Sequence, residues 1–187
     1  MDIGSVILVS FLVIIGIITI PIILEGTEEK KLDTDCTKIP ISYEIFKFCD
    51  FSGVNLSNKN LIGITLSGSN LSGANLEGSD LTGAYLNGIN FTNANLNNAN
   101  MQRSNIQDSI FKNTNLENVD FSMSYAADAS FFDSNLTGTT FQKAHLTGTE
   151  FLNVDLRDVD FTDAEFFTKE FGMATFKNCT NFELCKK

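Results

Sequence analysis

From Phe46 onward a large apolar residue returns at every fifth position without an insertion: Phe51, Leu56, Leu61, Leu66, Leu71 and so on through Phe121. After one lapse at Ala126 the series resumes at Phe131 and runs to Phe176. Neither regular element has this period. A helix of 3.6 residues per turn would spread these positions around its circumference, and a strand would send successive members to opposite faces. The residue two before each large one is usually small or β-branched, as at Val54, Ala74, Ala94, Ser104, Val119, Ala144 and Val159, and the residue between them is commonly Asn or Asp. Two inward side chains in every five residues make a continuous core, while Gly, Asn, Asp, Ser and Thr in the remaining places suit tight turns.

A second periodicity lies on the first. Residues twenty apart sort by size: one column reads Phe51, Leu71, Phe91, Phe111, Phe131, Phe151, Phe171, and the next reads Leu56, Leu76, Leu96, Leu116, Leu136, Leu156, Phe176. Stacked neighbours must match in volume to reach native packing density, so this modulation predicts a coil of four five-residue sides. Ala126, between Ile106 and Leu146 in its own column, predicts a void unless Phe121 and Phe131 lean in. A residual cavity there would cost about 2 to 4 kcal/mol.

The pattern A(D/N)Lxx, seen in Ala74-Asn75-Leu76-Glu77-Gly78 and Ala94-Asn95-Leu96-Asn97-Asn98, resembles the pentapeptide-repeat family, and the resemblance covers about residues 46 to 178. It implies an all-β fold, a right-handed quadrilateral β-helix. β-Helix ends need covering because they expose strand edges. The expected organisation is therefore a linker and N-terminal cap over residues 26–45, the repeat domain over 46–178, and a C-terminal cap over 179–187.

The N-terminal stretch has a different pattern. From Ile3 to Leu24 there is no charge, and Ile, Val, Leu and Phe dominate. At about 1.5 Å per residue this run is long enough to cross a hydrocarbon core of roughly 30 Å. The start Met1-Asp2-Ile3-Gly4 has no basic region of the kind a cleaved signal peptide carries, and no A-x-A-like site follows. The expectation is one transmembrane α-helix within residues 1–25, meeting the membrane through residues 3–24.

Topology pulls two ways. Lys30, Lys31, Lys38 and Lys47 would keep the following domain in the cytoplasm by the positive-inside rule. Cys36 and Cys49 lie near one end of the repeats and Cys179 and Cys185 near the other. Of the three pairings that four cysteines allow, proximity along the chain favours Cys36 with Cys49 and Cys179 with Cys185. Disulfides at both caps would suit an oxidising compartment, periplasm or thylakoid lumen, and the repeat domain is expected on that extracytoplasmic side.

The net charge of −10 argues against a phosphate-binding surface, so no nucleic-acid partner is expected. His145, the single histidine, stands in an Asn/Asp position with nothing to make a catalytic triad. The acidic residues have no calcium-loop spacing, the cysteines no zinc spacing, and the glycines follow the turns rather than a phosphate loop. No enzyme activity, cofactor, metal or small-molecule substrate is expected. Apolar residues at outward positions carry more information: Tyr85, Ile110, Tyr125, Phe132, Leu152 and Phe167. Of these, Ile110, Tyr125, Phe132, Leu152 and Phe167 are the expected partner-binding residues. The resulting expectation is a non-catalytic, membrane-anchored scaffold subunit, with a photosynthetic or respiratory complex as its setting. The alternative is a DNA-mimicking inhibitor, similar to the topoisomerase-protecting members of the family, for which an acidic β-helix is the relevant feature.

Overall fold

The computed structural model describes residues 35–166 in full and the backbone of 167–168, 172–173 and 175–177. The expected membrane segment, Cys179, Cys185 and the cap 179–187 lie outside the described residues. Among the described residues no helix is long and apolar enough to cross a membrane.

The chain winds as a square coil. Parallel bridges join residues twenty apart without a break, from Ile45 with Thr65 to His145 with Glu165, so four five-residue sides complete each turn. The ladder repeats: Phe46 N donates to Thr65 O at 2.7 Å, and Thr65 N donates back to Glu44 O at 2.9 Å. At each corner the second residue after the large apolar one has positive φ, between 51° and 71°. Most such corners are closed by a turn bond like that from Val54 N to Phe51 O. The four sides are named here for their outer or inner residues. In chain order, the acidic wall is centred on Leu61 to Phe161, the tyrosine wall on Phe46 to Phe166, the phenylalanine wall on Phe51 to Phe151, and the asparagine wall on Leu56 to Leu156.

The Asn/Asp position before each large residue has a defined task. On the asparagine wall, the side-chain oxygens of Asn55, Asn75, Asn95, Asn115, Asn135 and Asp155 each accept the backbone N–H two residues on. Amide nitrogens also donate along the column, as from Asn115 to Asn95 at 3.1 Å. These short side chains therefore hold the start of each corner and join neighbouring coils.

The interior is filled as its periodicity requires. Phe91, Phe111, Phe131 and Phe151 stack at 4.8, 4.8 and 5.1 Å between ring centroids, with planes within 12°. On the acidic wall opposite, Phe121, Phe141 and Phe161 stack at 5.0 and 5.4 Å. The two columns meet edge to face across the tube, which is the arrangement the aromatic quadrupole favours. Ala126 is completely buried, and at its level Phe121 meets Phe131 edge to face at 6.0 Å. That spacing is close to the 5.6 to 5.9 Å of the other cross-tube contacts.

Small inward hydroxyls add a second set of bonds. Ser109 Oγ donates to Leu86 O and accepts Ile89 N, bridging both ends of a turn on the preceding coil. Ser69 does the same for Phe46 O and Cys49 N, and Ser134 for Phe111 O and Thr114 N.

Both ends depart from the sequence expectation. The first corner is already formed at Ser42 and Tyr43, with Tyr43 N donating to Ile62 O, so the coil begins at Ile41, one repeat before Phe46. Ile39 and Glu44 stand in the small inward positions of these first repeats, where most later repeats carry a smaller residue. With no coil above, the size restriction relaxes there, and both are exposed. Cys36 and Cys49 form a disulfide, with Cα atoms 5.5 Å apart, that ties the preceding segment to this coil.

At the other end β1 (Ile110–Lys112), β2 (Ser130–Phe132) and β3 (Glu150–Leu152) pair in parallel, in steps of twenty. The next partner is β6 (Thr175–Lys177), which sets Phe176 rather than Phe171 opposite Phe151. The expected column assignment is therefore corrected by one repeat. The intervening residues include an antiparallel hairpin of β4 (Phe167–Thr168) with β5 (Gly172–Met173). A continued five-residue register would place Lys169 in the small inward position, where its charge would have to be buried without a partner.

Candidate functional site: the tyrosine wall

Exposed apolar side chains are concentrated on one side of the tube. The outer column of the tyrosine wall reads Ile45, Thr65, Tyr85, Asn105, Tyr125, His145, Glu165. Only one of these is the Asn or Asp that fills the equivalent column of the asparagine wall. Tyr85 and Tyr125 keep 56% and 54% of their surface open. Tyr125 stacks on His145 with centroids 4.7 Å apart, and His145 Nδ1 lies 2.7 Å from Glu165 Oε2. Asn105 leaves a gap between the two tyrosines, and its Oδ1 accepts the N–H of Gln107. Together with Gly83, Ala84 and Arg103 these residues line a notch of about 410 Å³.

The corner columns of the same wall are unusual in backbone terms. Among the described residues, positive φ falls almost everywhere on Gly, Asn or Asp, which tolerate it. The exceptions are Tyr43, Phe48, Arg103, Met123 and Lys143. All five border the tyrosine wall. Residues 43, 103, 123 and 143 occupy the column at its entry, and Phe48 stands at its exit. A side chain in the left-handed region costs roughly 1 to 2 kcal/mol, and such strain gathers where a side chain is wanted for something other than folding.

The expected partner-binding residues divide between walls. Ile110, Phe132 and Leu152 belong to the phenylalanine wall, where Phe132 pairs in register with Leu152. Among them only Ile110 is well exposed; Phe132 and Leu152 are half-buried, and Lys112 places its ammonium 5.3 Å from the Phe132 ring. Tyr125 lies on the tyrosine wall with His145. Phe167 has its backbone in β4, and its side chain is outside the described residues. The sequence reading missed Tyr43, Ile45, Phe48 and Met123. A usable signal existed: numbers 43, 123 and 45, 85, 125 differ by multiples of twenty, so they align once the coil length is known.

Charges elsewhere on the surface serve local structure. Asp160, on the acidic wall, is held below the ordinary carboxylate range first by the Gln142 side-chain amide and then by the Thr162 hydroxyl and N–H. Asp50 and Asp35 are lowered in the same way, by N–H and hydroxyl donors of Ser52 and Thr37. No group of three or more His, Cys, Asp or Glu side chains among the described residues is placed to hold a metal ion.

A square coil built of five-residue sides, walled by Asn ladders on one side and aromatic groups on another, defines a repeat-built solenoid. Two family models agree with this: pentapeptide repeats in eight copies match residues 45–83 and 84–122, and the pentapeptide repeat region matches 104–185. The chain belongs to the pentapeptide-repeat proteins. No curated protein matches it significantly.

Among solved structures, it is similar to QnrB1, a plasmid-mediated fluoroquinolone resistance protein, at 21% identity and TM-score 0.41, over 73% of this chain and 70% of that one. It is also similar to a pentapeptide repeat protein of the Arabidopsis thaliana thylakoid lumen, at 25% identity and TM-score 0.29, over 57% and 71%. A third similarity is to Rfr23 from the cyanobacterium Cyanothece, at 25% identity and TM-score 0.26, over 73% and 90%. At these scores no function is taken from them.

Proposed function

We propose that this protein is a non-catalytic interaction subunit, anchored in a membrane by residues 3–24, whose tyrosine wall docks a partner protein. The observation that carries the docking site is the coincidence, on the later coils, of exposed Tyr85 and Tyr125 on this wall with the positive-φ residues Arg103, Met123 and Lys143 at its entry. Interfaces concentrate aromatic residues and Met, and a rigid stack presents them with little further loss of conformational entropy on binding. The Cys36–Cys49 disulfide supports an extracytoplasmic domain.

Mild detergent extraction followed by native separation tests this reading. The chain should migrate in a larger assembly, and the double variant Tyr85→Asn/Tyr125→Asn should migrate alone with its β-helix intact by circular dichroism. Migration of the unaltered protein solely as a free chain would reject the subunit role. The DNA-mimic reading rests on the net charge of −10 and on acidic positions such as Asp80, Asp120 and Asp160 on a different wall. A gyrase-protection assay separates the two readings.

A further inference from the structure

The N-terminal coil carries an apolar girdle of its own. Ile39, Ile41, Tyr43, Ile45 and Phe48 are all exposed, Tyr43 by 75% and Phe48 by 81%. Among the described residues, later coils show nothing comparable in density. Lys38 and Lys47 stand within the girdle, and Asp35, Glu44 and Asp50 lie nearby, so its net charge is not positive.

The two most exposed rings are placed rather than loose. Tyr43 lies over Gly63 and Phe48 over Gly68, so closely that a Cβ on either glycine would come within 2.6 or 2.5 Å of ring carbons. The second coil thus offers a flat shelf at two neighbouring corners, and each ring rests on one while its outer face stays open.

We infer that this coil is a membrane-interface surface, in which Tyr43 and Phe48, with Ile39, Ile41 and Ile45, rest in the headgroup region of a zwitterionic bilayer. This rests on the reading that residues 3–24 cross a membrane. Three observations single out lipid as the occupant. Tyr43 beside Lys matches the chemistry of the interface, where amphipathic rings sit at headgroup level and lysine stems extend past them to water, and Phe48 supplies an apolar body for the headgroup and acyl boundary. The apolar run ends at Leu24, and eleven residues at no more than about 3.6 Å each keep Asp35 within about 40 Å of the membrane surface. Such a tether raises the effective concentration of the bilayer at this coil, whereas Tyr125 lies four coils, or about 19 Å, further along the tube. The charge balance of the girdle points to a zwitterionic surface rather than an anionic one.

The chain contains no Trp, so Phe48→Trp and Tyr125→Trp each provide a single reporter. The full-length protein is reconstituted into phosphatidylcholine vesicles with and without dibrominated acyl chains. The expected result is a blue-shifted emission for Phe48→Trp that loses most of its intensity to the brominated lipid, while Tyr125→Trp keeps its own. If the protein floats with the vesicles but Phe48→Trp is quenched no more than Tyr125→Trp, the inference falls and the anchor reading stands. If it does not float, both fall. A blue shift that grows with protein concentration and ignores the brominated lipid would show pairing of two copies through this coil, and would overturn the inference as well.

Discussion

Tyr125 and His145 lie face to face on adjacent coils, with ring centroids 4.7 Å apart and planes within 8° of parallel. They occupy the column position that takes Asn, or Asp155 at the last rung, on the asparagine wall, where each oxygen caps the next corner. The wall thus gives up a stabilising side-chain bond at these rungs and gains an aromatic surface.

Restoring Asn should reverse that exchange. Tyr85→Asn/Tyr125→Asn is expected to hold or slightly raise the unfolding midpoint, since a local Asx bond replaces an exposed ring. The same variant is expected to lose the larger assembly. Thermal unfolding beside native separation measures both, and loss of stability with the assembly retained would contradict the assignment.

Met123→Gly isolates the backbone term. Met123 has φ of 59°, and glycine adopts this conformation freely. Relief of strain should add up to about 1 kcal/mol of stability, reduced by the greater freedom of glycine in the unfolded chain. Urea unfolding gives the sign, and a clear destabilisation would show that the Met side chain packs for stability.

The inward serines should separate by their bonding. Ser109 bridges Leu86 O and Ile89 N, so Ser109→Ala strands a buried amide and should cost about 1 to 3 kcal/mol. Ser124 is buried with no hydrogen-bond partner for its hydroxyl, so Ser124→Ala should be neutral or stabilising. Equal effects in denaturant titrations would refute the bridging role.

Phe131 stacks between Phe111 and Phe151 and meets Phe121 and Phe141 edge to face. Phe131→Ala should cost about 3 to 5 kcal/mol. Because each coil contacts only its neighbours, hydrogen exchange should rise first in the coils flanking residue 131.

The acid limb of stability has a defined contributor in Asp160. Its folded-state pKa lies below the ordinary 3.8, so its contribution is complete above that value and is lost as pH falls through 3.8 toward the lowered one. Asp160→Asn keeps the oxygen that accepts Thr162 N–H but removes the charge. Its unfolding midpoint should lie slightly below the parent near neutrality and converge with it as pH falls through and below 3.8, as a series of thermal scans across that range would show.

What the sequence determined by itself is the interior. A large residue every fifth place and a size match every twentieth leave one way to fill a tube, because each inward side chain must displace water and fit the neighbours above and below. The stack of Phe91, Phe111 and Phe131 was legible for that reason. The exit of the coil was not: Phe171 and Phe176 both keep the five-residue beat, and only strand pairing shows that a hairpin sets Phe176 beside Phe151. Nor was the tyrosine wall. Tyr43, Ile45, Tyr85, Met123 and Tyr125 are scattered along the chain, and an isolated exposed apolar residue means little. Their alignment follows from the twenty-residue coil, but which of them stay exposed and which corners carry large side chains at positive φ are seen only in the closed square, since outward side chains have no packing neighbour to constrain them.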